Sequence, residues 1–112
     1  MEEFIRYLSG RVEEGKAEAA ALLADGRSDD ASFAKVRTNI NDVCRTVSQA
    51  LMNRPGAGIS AVRSPMERFR AEWGAALDKA KQHGNVRGIA VEETKLAALE
   101  DIIAHFQEVT EA

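Results

Sequence analysis

Residues 33–50 read FAKVRTNINDVCRTVSQA, and in them Phe33, Val36, Ile40, Val43, Val47 and Ala50 follow one another by three, four, three, four and three positions. A helix turns once in about 3.6 residues, so this alternation lays all six on one face, whereas a strand would repeat at every second residue. The stripe is expected to be core, and its heptad-like period favours neighbours packed nearly parallel, at about 20°. Asp29 and Asp30 stand just before it, where the helix dipole favours negative charge. Pro55 disfavours helical geometry in the residue before it, so this helix should end near Asn53.

Three further stretches carry the same period. In the first, from about Glu2 to about Ala24, Phe4, Leu8, Val12, Ala19, Leu22 and Leu23 share a side, flanked by Ile5 and Tyr7. Gly10 and Gly15 interrupt it, each costing about 1 kcal/mol against alanine. Either they allow a close helix approach or they are tolerated, and tolerance is the simpler reading. Gly26 suits the left-handed cap of this helix, and Ser28 suits the start of the next. A third run opens with Ser64-Pro65-Met66-Glu67, which has the form of a capping box with proline at the first helical position. Its buried face is expected to hold Met66, Phe69, Trp73, Ala76, Leu77 and Ala80, with Lys79, Lys81 and His83 at its carboxyl end and Gly84 as the stop. The fourth runs from about Ile89 to about Val109, with Leu96, Leu99, Ile102, Ile103 and Phe106 inward. Val91, Ala98 and Val109 widen its apolar arc beyond that of the others, which suits a helix that is central or covered by a second chain.

Two short connections and one longer one, from Arg54 to Arg63, join these runs. Short connections favour antiparallel neighbours, so residues 1–112 are expected to form a single all-α domain, an up-and-down four-helix bundle. The alternative is a three-helix core with the first helix packed across it or exchanged between subunits. At 112 residues, 45% of them hydrophobic and 29% charged, the composition is that of an ordinary globular domain. No apolar run approaches the roughly 20 residues that span a bilayer. The acidic start Met1-Glu2-Glu3 is unlike a signal peptide, and one cysteine, Cys44, allows no intrachain disulfide. A cytoplasmic location with no membrane partner is the resulting expectation.

Chemistry is sparse. Gly56-Ala57-Gly58-Ile59-Ser60-Ala61 fits the G-x-G-x-x-A dinucleotide pattern, but that turn needs a strand before it, and here a helix precedes it. The same loop has a second reading as an anion site. Arg54 and Arg63 bracket it, Gly56 and Gly58 free its backbone, Ser64 opens a helix, and Arg68 lies one turn further on. Helix-start donors with arginines can hold an anion, although Pro65 removes one donor. Residues 32–70 have a balance of +5, from Lys35, Arg37, Arg45, Arg54, Arg63, Arg68 and Arg70 against Asp42 and Glu67, while residues 1–31 and 71–112 each stand at -4. This basic strip either pairs internally with the acidic first and fourth helices or docks an acidic protein or nucleic acid. Internal pairing is favoured, because the strip lacks exposed aromatics for base stacking.

The two histidines, His83 and His105, form no Glu-x-x-His pair, and no cluster suggests zinc, so neither a metal nor a cofactor is expected. Asp101 and His105, one turn apart, are expected to hydrogen-bond on the helix surface. Cys44 is expected to pack as a small hydrophobe. The resulting expectation is a non-catalytic helical interaction protein, an adaptor, regulator or accessory subunit, that self-associates or binds another protein. Binding of nucleic acid or another polyanion through the basic strip is the alternative, and a small enzyme or metal protein using Asp101, His105 or Cys44 is a third reading.

Overall fold

The computed structural model describes residues 1–111, which form an all-α four-helix bundle. The helices are α1 (Glu2–Ala24), α2 (Ser28–Met52), α3 (Arg63–Gln82) and α4 (Val86–Glu111), and a short 3-10 turn (Ile59–Val62) leads into α3. The stops at Gly26 and Gly84 lie where the sequence puts them. Both have positive φ, 77° and 63°, a region that glycine enters without steric cost. They let the Arg27 N–H donate to the Leu22 carbonyl at 2.9 Å and the Asn85 N–H to that of Ala80 at 3.0 Å, satisfying carbonyls the helix ends would otherwise leave open.

The starts of α3 and α4 differ from expectation. The 3-10 turn runs straight into α3, with the Arg63 N–H donating to the Ser60 carbonyl. The helix therefore begins at Arg63, Ser64 lies inside it, and no side-chain cap forms. Ser28 does start α2, as the sequence suggests, although it makes no side-chain cap. Helix α4 begins three residues earlier than Ile89, because the Asn85 Oδ1 accepts the Gly88 N–H at 3.0 Å and caps the helix there.

Packing begins with α1 against α2, the closest pair in the molecule. At Gly15 the two backbones come so near that an added Cβ would overlap the Thr38 hydroxyl and lie 3.0 Å from the Thr38 Cβ. Threonine is β-branched and stiff, and its hydroxyl is held by the Ala34 carbonyl at 2.8 Å. Gly15 is therefore required for the approach rather than merely tolerated. Gly10 has open space around it and fits the tolerant reading. Ala31, Ala34, Thr38 and Asn41 share by helical register the side of α2 that meets α1, and Ala31, Ala34 and Asn41 are buried there.

This contact rotates α2 away from the expected facing. Of the stripe Phe33, Val36, Ile40, Val43, Val47 and Ala50, only Ile40 is fully buried; the four large residues beside it are half-buried and Ala50 is exposed. Helix α4 packs against α2 on one side and α3 on the other. It reaches α1 through Phe4, whose ring lies edge-on to Phe106 at 5.6 Å. Helix α4 is therefore central, as its broad arc allows. The core joins Phe4 and Leu8 of α1 to Ile40, Cys44 and Leu51 of α2, Val62 and Met66 at the start of α3, and Leu99, Ile102 and Phe106 of α4. Leu23, expected inward, is 55% exposed at the far end of α1.

The Gly15 contact can be tested by urea denaturation. Gly15→Ala is expected to lower stability by about 1–2 kcal/mol, since the steric cost of overpacking exceeds the helix-propensity gain. Gly10→Ala, on the exposed side of the same helix, should raise stability by about 0.5–1 kcal/mol.

Candidate interaction surface

The residues that bracket the 54–63 loop occupy one end of the bundle and all face solvent. Arg54, Gly56, Gly58, Arg63, Ser64 and Arg68 are each exposed. They do not converge. The Arg63 guanidinium lies 5.8 Å from the centre of the Phe106 ring, while that of Arg68 lies 5.8 Å from the Phe69 ring and 3.9 Å from Glu72. Arg63 lines a cavity of about 40 Å³ with Glu67, Arg70 and Phe106, enough for about one water. Two backbone donors near the start of α3 are engaged and a third is missing. The Ala61 N–H bonds to the Gly58 carbonyl at 3.1 Å, the Arg63 N–H bonds to Ser60, and Pro65 has none.

The basic strip is largely paired. Arg37 donates to Glu18 of α1 at 3.0 Å. Arg70 makes a two-pronged bond to Glu100 of α4 at 2.7 and 2.8 Å. Arg45 pairs with Asp42, and Arg68 with Glu72. Lys35, Arg54 and Arg63 have no carboxylate within 4 Å among the described residues, and they lie apart on α2, the loop and the head of α3. Exposed pairs of this kind add about 0–1 kcal/mol each to stability. Their consequence is electrostatic: four of the seven cations are neutralised by the protein's own carboxylates.

The candidates for chemistry are occupied in other ways. Cys44 is 1% exposed in the core, and burial pushes its thiol up to about 12 from its ordinary value of 9.0. A thiolate is the reactive form, so this sulfur behaves as the small hydrophobe its neighbours suggested. His105 does not bond to Asp101. Its ring stacks on Tyr7 of α1 at 3.6 Å, and its Nδ1 lies 3.9 Å from Glu108. The reason is that α1 covers this side of α4, and flat ring contact wins over a surface hydrogen bond. Among the described residues no three His, Cys, Asp or Glu side chains group as metal ligands, and no helix is long and apolar enough to cross a membrane. A cleft of about 640 Å³ opens between α1, α2 and α4 over Leu22 and Phe33, but both arginines on its rim, Arg27 and Arg37, already hold carboxylates.

What remains is an apolar surface that sequence periodicity assigned to the interior. In α3 only Met66 is fully buried; Phe69, Trp73, Ala76, Leu77 and Ala80 are half-buried. Phe69 and Trp73 stack with centres 5.1 Å apart and planes 7° from parallel. Across from them lie Val36, Val43 and Val47, on the side of α2 turned away from α1. Helix α3 packs on α4 and on the 3-10 turn but does not approach α2 closely along its length, so the two stripes, of which Val47, Phe69 and Trp73 also pack against the core, flank a trough. By register, α4 presents Glu92 and Lys95 between them. Their side chains are 16% and 29% exposed and 3.2 Å apart, and Glu92 Oε2 is buried without a hydrogen-bond partner. No family model, curated protein or solved structure matches this chain.

Cys44 supplies a test of this core. Its raised thiol favours the neutral form in the folded state, so its contribution to stability is complete below about 9 and is lost as the pH rises from there toward about 12. Native protein at pH 8 is expected to leave Ellman's reagent unreduced over hours, with one equivalent of thiol appearing on unfolding in guanidinium. Prompt reaction of the native protein would contradict the burial.

Proposed function

We propose that this chain is a non-catalytic helical interaction module, an adaptor, regulator or accessory subunit that works in the cytoplasm through surface contacts. The observation that carries this reading is the trough between α2 and α3. Its walls are Val36, Val43 and Val47 on one side and Phe69, Trp73 and Leu77 on the other, all half-buried. Two apolar walls, one with paired aromatics, are characteristic of protein contact sites, where tryptophan and phenylalanine supply area at little entropic cost. Support also comes from what occupies the reactive groups: Cys44 is sealed in the core and His105 is stacked on Tyr7.

The charge pattern favours a protein partner over a polyanion. A nucleic-acid surface needs several unpaired cations in one place, and Arg37, Arg45, Arg68 and Arg70 are each held by a carboxylate. Fluorescence anisotropy of a labelled oligonucleotide is expected to show no saturable binding at about 150 mM salt. Steeply salt-dependent binding that Arg54→Ala and Arg63→Ala weaken would instead support the polyanion reading.

The module itself is tested by affinity capture with a tagged chain beside its Val43→Lys variant, both checked for native helix content by circular dichroism. The wild-type chain is expected to retain a protein, a second copy or another, that the variant loses at least tenfold. Identical retention by both would remove the trough from the proposal.

A further inference from the structure

We infer that the trough between α2 and α3 is closed by a second copy of this chain, in a two-fold homodimer. This deepens the interaction-module reading and rests on it, naming the partner and the surface.

The first argument is one of area. A folded monomer of 12.2 kDa is expected to expose about 6,100 Å², whereas this chain exposes 6723 Å². The excess, about 600 Å², is close to the roughly 800 Å² that each partner contributes to a stable dimer of ordinary size. Compactness agrees. The radius of gyration is 15.1 Å, with extents of 45 × 35 × 23 Å, against about 13 Å for a compact chain of this length. The molecule is broad and thin.

The second argument is location. The incomplete burial is concentrated on α3, where one residue in the helix is fully buried, and on the valine stripe of α2. A surface that repeats around a two-fold axis must be complementary to itself. Here half-buried aromatic rings, Phe69 and Trp73, lie opposite a row of half-buried β-branched side chains, Val36, Val43 and Val47. A two-fold axis along the trough sets the rings of each protomer over the valines of the other. The flanking cations offer no obstacle, because Arg68 and Arg70 are neutralised within the same protomer by Glu72 and Glu100.

The test is the mass of the purified full-length protein by size-exclusion chromatography with light scattering at about 100 μM, a concentration that populates any dimer of micromolar affinity. The expected result is twice 12.2 kDa, falling to the single mass in Val43→Lys, while Ala97→Lys, at the open cleft between α1, α2 and α4 and away from the trough, stays dimeric. A wild-type monomer up to about 1 mM would overturn the dimer, and capture of a different protein by the trough would then still uphold the module. A dimer broken by Ala97→Lys but not by Val43→Lys would overturn the face. Trp73, the one tryptophan, gives a second readout that needs no variant. Its quenching by acrylamide should fall at least twofold as concentration rises through the dimerisation range. Dimer formation with unchanged Trp73 quenching would likewise refute the assigned face.

Discussion

The near-contact of Gly15 with Thr38 governs the rest of this bundle. Two helices can approach this closely only where one offers no side chain and the other offers small ones. That requirement selects which side of α2 meets α1: the side of Ala31, Ala34, Thr38 and Asn41. Once that side is fixed, helical geometry leaves no freedom for the others. Ile40, Cys44 and Leu51 turn toward α4, and Val36, Val43 and Val47 turn past it, toward the flank on which α3 lies. The valines are half-covered because α1 takes the small face.

Helix α4 holds this arrangement together from the middle. Its Leu99, Ile102 and Phe106 are fully buried, and Phe4 and Tyr7 of α1 bring their rings onto Phe106 and His105 at one end. At the other end α1 and α4 part around the cleft over Leu22 and Phe33. The charges follow the same frame. Arg37 and Arg70, from the basic middle of the sequence, reach Glu18 and Glu100 on the acidic first and last helices. An uneven distribution along the chain becomes a mixed surface in three dimensions.

Much of the fold was legible in the sequence, and what was missed has definite causes. The bounds of α1 and the stops at Gly26 and Gly84 could be read because a period near 3.6 and a glycine at a left-handed cap are local properties. The facing of α2 could not. Periodicity locates the largest side chains, but the decisive contact belonged to the smallest, and Gly15 shows its purpose only beside Thr38, far along the chain. The expected capping box at Ser64 is displaced by a 3-10 turn with no strong sequence mark, while the cap at Asn85 is made by a residue type that marks turns as readily as helix starts. At the candidate site, Arg54, Arg63 and Arg68 lie exposed at one end without converging, because the geometry of the loop is not written in its spacing. The partners of Arg37 and Arg70 lie 19 and 30 residues away, so their pairing was foreseeable only as a balance of charges.

The account depends on what lies over Trp73. An isotope-filtered NOE experiment on a mixture of labelled and unlabelled protein observes contacts between chains and no others. Cross-peaks between the Trp73 indole of one chain and valine methyls of the other, assigned to Val43 and its neighbours on α2, are the predicted result. Filtered spectra empty at Trp73, at a concentration where every contact within the chain is seen, would contradict it.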